Sequence, residues 1–133
     1  MKGFKGLMIK IVLEILFLLA LMLCMIIYAS AGEMLKGRAT VYSLDGLTKK
    51  GTQVSWGVCA SGNKNLYGKT VILYQRLPDG TKGDALGIYR VEDSGCDDDV
   101  IDIWCPAKYQ QKIIDRTYEN GCEGRIYIQI VED

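Results

Sequence analysis

Six short segments rich in β-branched and aromatic residues dominate the chain after residue 36, and they constrain the fold most. Glycine, proline, asparagine and aspartate separate them, so each segment predicts a strand. The segments are Gly37–Tyr42, Val54–Ala60, Thr70–Leu77, Leu86–Glu92, Val100–Trp104 and Arg125–Val131. Only Ala107–Tyr118, which follows Pro106, predicts a helix. We therefore expect a mainly β fold, a small closed barrel with one short helix before the last strand.

Residues 1–31 have the features of a secretory signal peptide. A lysine-containing start precedes the unbroken apolar run Ile15–Tyr28, and Ala29-Ser30-Ala31 fits the small-residue rule for cleavage. The alternative is an uncleaved membrane anchor, because residues 11–28 are marginally long enough to span a bilayer. Either way, we expect residues 37–133 to form one domain that is secreted or held outside the cytoplasm.

Charge and histidine content restrict the function of this exported domain. The chain has 16 basic and 16 acidic residues, and removing Lys2, Lys5, Lys10 and Glu14 leaves 13 against 15. Nucleic-acid binding is not expected, since it needs a basic excess. Histidine is absent, which excludes Ser-His-Asp and Cys-His catalysis and leaves acid/base chemistry to carboxylates. We predict neither cofactor nor metal, and we expect a monomer.

Four cysteines follow the apolar segment: Cys59, Cys96, Cys105 and Cys122. An even number outside the cytoplasm predicts two disulfides, with three connectivities that sequence does not separate. We favour Cys105 with Cys122 and Cys59 with Cys96. A zinc site built from all four thiolates is less consistent with the spacing, because no CxxC pair is present.

Val91–Trp104 contains five aspartates within strand-like sequence. Asp93 closes one apolar run and Asp102 interrupts another, where it shares a face with Val100 and Trp104. A carboxylate among strand residues needs a partner, which indicates a site. The structural alternatives are a turn cap for Asp93 and a buried, satisfied carboxylate for Asp102.

The three consecutive aspartates Asp97, Asp98 and Asp99 predict a solvated loop rather than a calcium site. The alternating pattern of an EF-hand is missing, and three adjacent side chains do not converge easily on one ion. Aromatic residues elsewhere allow two interpretations. Tyr42, Trp56 and Tyr67 could line a carbohydrate groove or pack in the core of a small β protein.

The chain resembles the 3D domain, a family named for three aspartates. The resemblance lies in Glu92-Asp93-Ser94-Gly95, followed by Ile101-Asp102-Ile103-Trp104. Gly37–Tyr42 is similar to the opening strand of these domains and of the rare lipoprotein A group. Gly68-Lys69-Thr70-Val71 looks like their strand entry and Ile126-Tyr127-Ile128 like their closing strand. The resemblance covers Gly37 to Val131.

The family implies a six-stranded double-psi β-barrel, shared with membrane-bound lytic transglycosylase A and expansins, whose enzymes cleave peptidoglycan glycan strands. By motif, Asp102 would be the catalytic acid/base and Asp93 the second carboxylate. Trp104, Ser61 and Tyr42 would contact substrate. Ser61 stands where the family has its first aspartate, and the loop carrying Cys96 is shorter than usual. Two alternatives are a non-catalytic barrel that binds cell-wall polysaccharide and a disulfide-stabilised structural barrel.

Overall fold

The computed structural model describes residues 2–30 and 34–131. They form two compact units, an N-terminal helix and a β-barrel. Helix α1 spans Lys2–Ser30, and within it Gly3–Cys24 is long and apolar enough to cross a membrane, judged by length and composition. Both a signal peptide and an anchor fit this helix. The last residue of the predicted cleavage motif, Ala31, lies outside the described residues.

The second unit is a closed barrel of six strands with a short helix before the last one. Its elements are β1 (Leu35–Tyr42), β2 (Val58–Ser61), β3 (Thr70–Arg76), β4 (Lys82–Asp93), β5 (Val100–Trp104), α2 (Gln110–Tyr118) and β6 (Arg125–Val131). Two short 3-10 helices, Ala107–Tyr109 and Glu119–Gly121, flank α2. The strand order around the barrel is β1, β5, β2, β4, β3, β6 and back to β1. The predicted closed, mainly β fold is confirmed.

The barrel mixes parallel and antiparallel neighbours. β1 runs parallel to β5, and β2 runs parallel to β4. The other four neighbouring pairs are antiparallel. Parallel neighbours need long connections, so strands from distant parts of the sequence lie side by side. This arrangement brings β5 and β4 to the two sides of β2.

Alternating apolar residues fill the barrel interior. Val71 and Leu73 of β3, Ile101 and Ile103 of β5, and Ile126 of β6 are essentially inaccessible to solvent and belong to one core cluster. Burying each such side chain contributes about 1.5–3 kcal/mol before entropy is counted. Successive side chains of a strand point to opposite faces. Val100, Asp102 and Trp104, which alternate with Ile101 and Ile103, therefore face outward.

The second strand begins later than the sequence predicts. β2 starts at Val58 rather than Val54, and Trp56 lies in the turn before it. Gly57 adopts φ of +91°, a left-handed conformation that glycine tolerates without steric cost. The chain therefore turns at Gly57, and Trp56 is carried out of the sheet.

The predicted disulfides are not formed in this structure, where the described cysteines are free thiols. Cys59 packs in the hydrophobic core of the barrel. Cys96 lies on the loop after β4, where its thiol is 3.6 Å from the carbonyl oxygen of Val100. Cys59 and Cys96 are nevertheless neighbours, because the pKa of Cys59 is raised first by burial and then by Cys96. Their pairing is not formed here and stays a prediction.

Cys105 and Cys122 are both buried free thiols, and their pairing likewise stays a prediction. Burial raises the pKa of both thiols. Against this rise, Ser43 lowers the pKa of Cys105, and Arg125 and Asp84 are the charged neighbours of Cys122. In the part of the chain that the structure describes, no three potential metal ligands come together, so the zinc alternative has no support.

Candidate functional site

The strand register places Asp93 and Asp102 on either side of one small residue. Ala60 of β2 pairs with Asp102 of β5 on one side and with Asp93 of β4 on the other. A register shift between Cys59 and Ala60 accompanies the second pairing. Cross-strand partners share a face, so the two aspartates and the alanine methyl group face the same outer side. The short side chain of Ala60 leaves open space between the carboxylates.

This space is a cavity of about 210 Å³ that contains both carboxylates in its wall. Its lining consists of Tyr42, Leu44, Ala60, Asp93, Ser94, Gly95, Cys96 and Asp102. We call it the aspartate cavity. Four segments distant in sequence build it: the end of β1, the middle of β2, the turn after β4 and the middle of β5.

Asp102 is half-buried on the outer face of the barrel, with Val100 and Trp104 on the same face, as the alternation predicts. Burial raises its pKa, and the negative charge of Asp93 raises it further. A hydrogen bond of 2.7 Å from the Thr40 hydroxyl to Asp102 Oδ1 opposes these effects and lowers the pKa. Burial dominates, so the net shift is upward.

These opposing effects predict that two substitutions move the Asp102 pKa in opposite directions. Thr40→Val removes the hydrogen bond to the ionised form, so we expect the pKa to rise. Asp93→Asn removes a negative charge, so we expect it to fall. Carbon-13 NMR titration of the Asp102 carboxyl in each variant measures both shifts. Shifts of the same sign would contradict the assignment of causes.

Asp93 caps a turn and also lines the aspartate cavity. Its Oδ1 accepts hydrogen bonds from the backbone N–H groups of Ser94, at 2.9 Å, and Lys49, at 3.1 Å. The first bond is ordinary turn chemistry, as the structural alternative expected. The second fastens the loop of Lys49 to the end of β4. Asp93 is thereby held in a fixed position beside the aspartate cavity.

Tyr42 brings an unpartnered hydroxyl to the same place. Its Oη is buried and has no hydrogen-bond partner among the residues that the structure describes. Burial raises the pKa of the Tyr42 phenol, and the charges of Asp93 and Asp102 raise it further. An unsatisfied buried hydroxyl costs free energy. The Tyr42 hydroxyl is therefore available to hydrogen-bond a water or a ligand in the cavity.

The exposed aromatic surface at the end of β5 belongs to Trp56 rather than Trp104. Trp104 is only 8% exposed, and its Nε1 donates to the Leu44 carbonyl at 3.0 Å. Trp56 is 53% exposed and packs edge-to-face on Trp104, with ring centroids 6.4 Å apart. The Tyr109 ring also packs against Trp56, with ring centroids 5.4 Å apart. Trp104 therefore supports the aromatic cluster, and Trp56 presents the accessible ring.

Ser61, the third predicted contact residue, does not line the aspartate cavity. It is buried at the end of β2 and pairs with Ile101. Its Oγ accepts a hydrogen bond from the Asn63 N–H at 3.1 Å, so it caps the following turn. Ser61 also lines a second cavity, described below, together with Lys49 and Lys64.

The backbone of Gly62 fits closely against the loop after β4. A Cβ atom at Gly62 would lie 2.0 Å from the Cys96 carbonyl oxygen and 2.8 Å from the Asp97 carbonyl. Real side chains do not tolerate such distances, so one of the two backbones would have to shift. Gly62 thus fixes the position of the segment that forms one wall of the aspartate cavity.

Replacing Gly62 with alanine is expected to destabilise the barrel. Overpacking of this kind costs about 1–3 kcal/mol, and urea unfolding followed by circular dichroism measures the change. Gly80→Ala is a control with open space around the new methyl group but a positive φ of 84°. A Gly62→Ala protein no less stable than the wild type would show that the loop yields without cost.

The acidic loop is solvent-exposed, as the sequence predicts, and one of its carboxylates has a partner. Asp97, Asp98 and Asp99 are all exposed. The Arg38 guanidinium donates to Asp99 at 3.1 Å, with both side chains 55% exposed. Because solvent and salt screen an exposed pair, this one contributes little to stability. The loop therefore borders the site without forming it.

Sequence reasoning missed the residues that position the carboxylates. Thr40 and Lys49 gave no signal, because their partners are 62 and 44 residues away in the chain. Glu92 was read as the end of a strand. It is buried, accepts a 2.7 Å hydrogen bond from Thr52 Oγ1 and pairs with Arg90. Glu92 thus anchors the loop that carries Lys49.

The fold and the site define a closed, mixed β-barrel with two carboxylates bordering a cavity on its outer face. Similarity to known proteins adds nothing to this description. No family model, no curated protein and no solved structure matches the chain.

Proposed function

We propose that this chain is an exported, cell-wall glycan-active protein that cleaves peptidoglycan strands as a lytic transglycosylase, with Asp102 as the acid/base. The observation that carries the proposal is the placement of Asp102 and Asp93 around one cavity, separated by the small side chain of Ala60. Paired carboxylates suit glycoside chemistry in a chain that lacks histidine.

The proposal includes a double-psi β-barrel of the 3D type. A closed barrel of six strands with two parallel pairs supports it. The positions of the motif residues support it too, because Asp93 ends β4 and Asp102 lies in the middle of β5. The apolar helix α1, long enough to cross a membrane, supports export.

In the proposed reaction, protonated Asp102 donates its proton to the glycosidic oxygen as the bond from C1 to that oxygen breaks. The C6 hydroxyl of the same sugar attacks C1, and its proton passes to the Asp102 carboxylate. The products are a free hydroxyl on one fragment and a 1,6-anhydro end on the other. Asp102 is protonated again, so one carboxyl group completes the cycle without added water.

The surroundings of Asp102 suit this use. Burial raises its pKa, which increases the protonated fraction near neutral pH. Asp93, held by two backbone N–H groups, supplies negative charge that favours the protonated form of Asp102. The unpartnered Tyr42 hydroxyl offers a hydrogen bond to the sugar or to a water beside the carboxylates.

The exposed ring of Trp56 supports a glycan as the ligand. Trp56 packs edge-to-face on Trp104. Trp104 lies two residues from Asp102 on the same face of β5, which separates Trp104 from Asp102 by about 7 Å along the strand. Aromatic faces bind the apolar faces of sugar rings and bury large areas. A glycan strand in the aspartate cavity would reach this ring.

The second candidate is a non-catalytic module that binds cell-wall polysaccharide in the same place. The hydrogen bond from Thr40 to Asp102 favours it, because this bond stabilises the ionised carboxylate, which is not an acid. Ser61, at the position of the family's first aspartate, also favours binding without cleavage. The aromatic cluster serves either function.

Digestion of peptidoglycan distinguishes these functions. The full chain, in detergent micelles, is incubated with purified peptidoglycan, and the soluble products are analysed by mass spectrometry. Anhydro-muropeptides, absent from a heat-unfolded control, are the result expected for a lytic transglycosylase. Co-sedimentation with the insoluble polymer without such products would support the binding module. If neither cleavage nor co-sedimentation is observed, both functions are overturned.

A further inference from the structure

A second cavity, of about 390 Å³, adjoins the aspartate cavity and has the opposite charge. Its lining consists of Lys49, Ser61, Gly62, Lys64, Tyr67, Ser94, Gly95 and Cys96. We call it the lysine cavity. The segment from Ser94 to Cys96 lines both cavities, so a ligand longer than one sugar could contact both.

A backbone hydrogen bond fixes the position of Lys49 in the wall of the lysine cavity. Its N–H donates to Asp93 Oδ1 at 3.1 Å. The same loop is fixed by Thr52, whose hydroxyl donates to the buried Glu92 carboxylate at 2.7 Å. The Lys49 ammonium lies 5.8 Å from the centroid of the Tyr67 ring, within the range of a cation-π contact.

The two lysines of this cavity are not neutralised by carboxylates. The ion pairs within 4 Å among the described residues are Arg38 with Asp99 and Arg90 with Glu92. Neither Lys49 nor Lys64 belongs to them. Unpaired cations in a concave site attract an anion, and the attraction is stronger there than on a flat, fully solvated surface.

The described residues that line the lysine cavity include no carboxylate. Asp93 keeps its negative charge but lines the aspartate cavity instead. Asp97 and Asp98 do not line the cavity, and like Lys49 and Lys64 they are exposed, so salt screens all four charges. The charge pattern across the two cavities is therefore acidic around Asp102 and basic around Lys49.

We infer that the lysine cavity binds a carboxylate carried by the glycan, and that it makes the site selective for acidic over neutral sugar strands. This inference rests on the proposed function, because it assumes that a glycan occupies the aspartate cavity. The carboxylate has two sources in peptidoglycan. One is the lactyl acid on the muramic ring, and the other is the peptide attached to it.

The test measures binding of three soluble ligands by isothermal titration calorimetry. The full chain in detergent micelles carries Asp102→Asn, so that no ligand is cleaved. The ligands are a neutral chitin tetrasaccharide, a peptide-free tetrasaccharide of alternating N-acetylglucosamine and N-acetylmuramic acid, and the same tetrasaccharide with its peptides. We expect at least one acidic ligand to bind about tenfold more tightly than chitin, the effect of one charge-assisted contact.

A double variant tests the lysines directly. Lys49→Ala with Lys64→Ala is expected to lose the tenfold preference, so that the acidic ligands bind no more tightly than chitin. Lys50→Ala with Lys69→Ala removes the same charge from exposed lysines that do not line the cavity, and it should keep the preference. A preference that requires the peptide identifies the peptide as the source, and one shown by the peptide-free strand identifies the lactyl acid.

Three results would overturn the inference, and they differ in what they say about the proposed function. Equal binding of neutral and acidic ligands, or a preference that survives in the Lys49 and Lys64 double variant, overturns this inference alone. Binding of none of the three ligands overturns the proposed function as well.

Discussion

Replacing Asp102 with asparagine is expected to lower the rate of glycan cleavage by about 10²- to 10⁴-fold, the usual contribution of a general acid/base. Asparagine has the same shape and keeps an oxygen that accepts the hydrogen bond from Thr40, so the fold should persist. The amide cannot donate and recover a proton as the carboxyl does. Release of anhydro-muropeptides, followed over time by mass spectrometry, measures the loss.

Asp98→Asn is the matched control, because Asp98 is an exposed carboxylate of the neighbouring loop. Its cleavage rate should equal that of the wild type. Binding of peptidoglycan by Asp102→Asn, measured by co-sedimentation, should be retained. Cleavage by the asparagine variant at the wild-type rate would remove Asp102 from the mechanism and with it the proposed reaction.

Replacing Trp56 with alanine is expected to weaken glycan binding by about 10- to 100-fold, or about 1.4–2.7 kcal/mol. The ring is 53% exposed and is oriented by edge contacts with Trp104 and Tyr109. Such a supported aromatic surface loses little conformational freedom when a sugar packs on it. Calorimetric titration with a soluble peptidoglycan tetrasaccharide measures the change in Kd.

Tyr118→Ala removes an aromatic ring of similar exposure, 56%, from the end of α2. Tyr118 does not line the aspartate or the lysine cavity, so its removal should leave the Kd unchanged. The Trp56→Ala protein should unfold in urea close to the wild-type midpoint. Equal binding by wild type and Trp56→Ala would place the glycan elsewhere on the barrel.

The fold was predictable where local alternation and turn residues agree. The sequence around Ile101 and Ile103 predicts an inward apolar face and an outward Asp102, and the barrel has both. The strand near Trp56 was misplaced, because hydrophobicity there suggested a sheet position. The backbone turns at Gly57 with a positive φ, so the strand begins only after this residue. The sequence does not distinguish this glycine from the others in the chain.

The site was predictable in its residue types and not in its assembly. The proximity of Asp93 and Asp102 depends on Ala60, which pairs with both from an intervening strand. Alanine has no functional group, so nothing in the sequence marks it. The sequence also does not show that Trp104 is buried and Trp56 exposed. This difference arises because the turn before β2 places the Trp56 ring against the outer side of Trp104.

The closure of the barrel determines when the chain can fold. β1 is completed by β5 and β6, and Leu35 pairs with Ile128 near the far end of the sequence. Contacts between such distant residues form slowly, on a scale of milliseconds to seconds for domains dominated by them. β1 therefore cannot complete its pairing until β6 is present, so no closed barrel forms before the chain has been synthesised as far as the last strand.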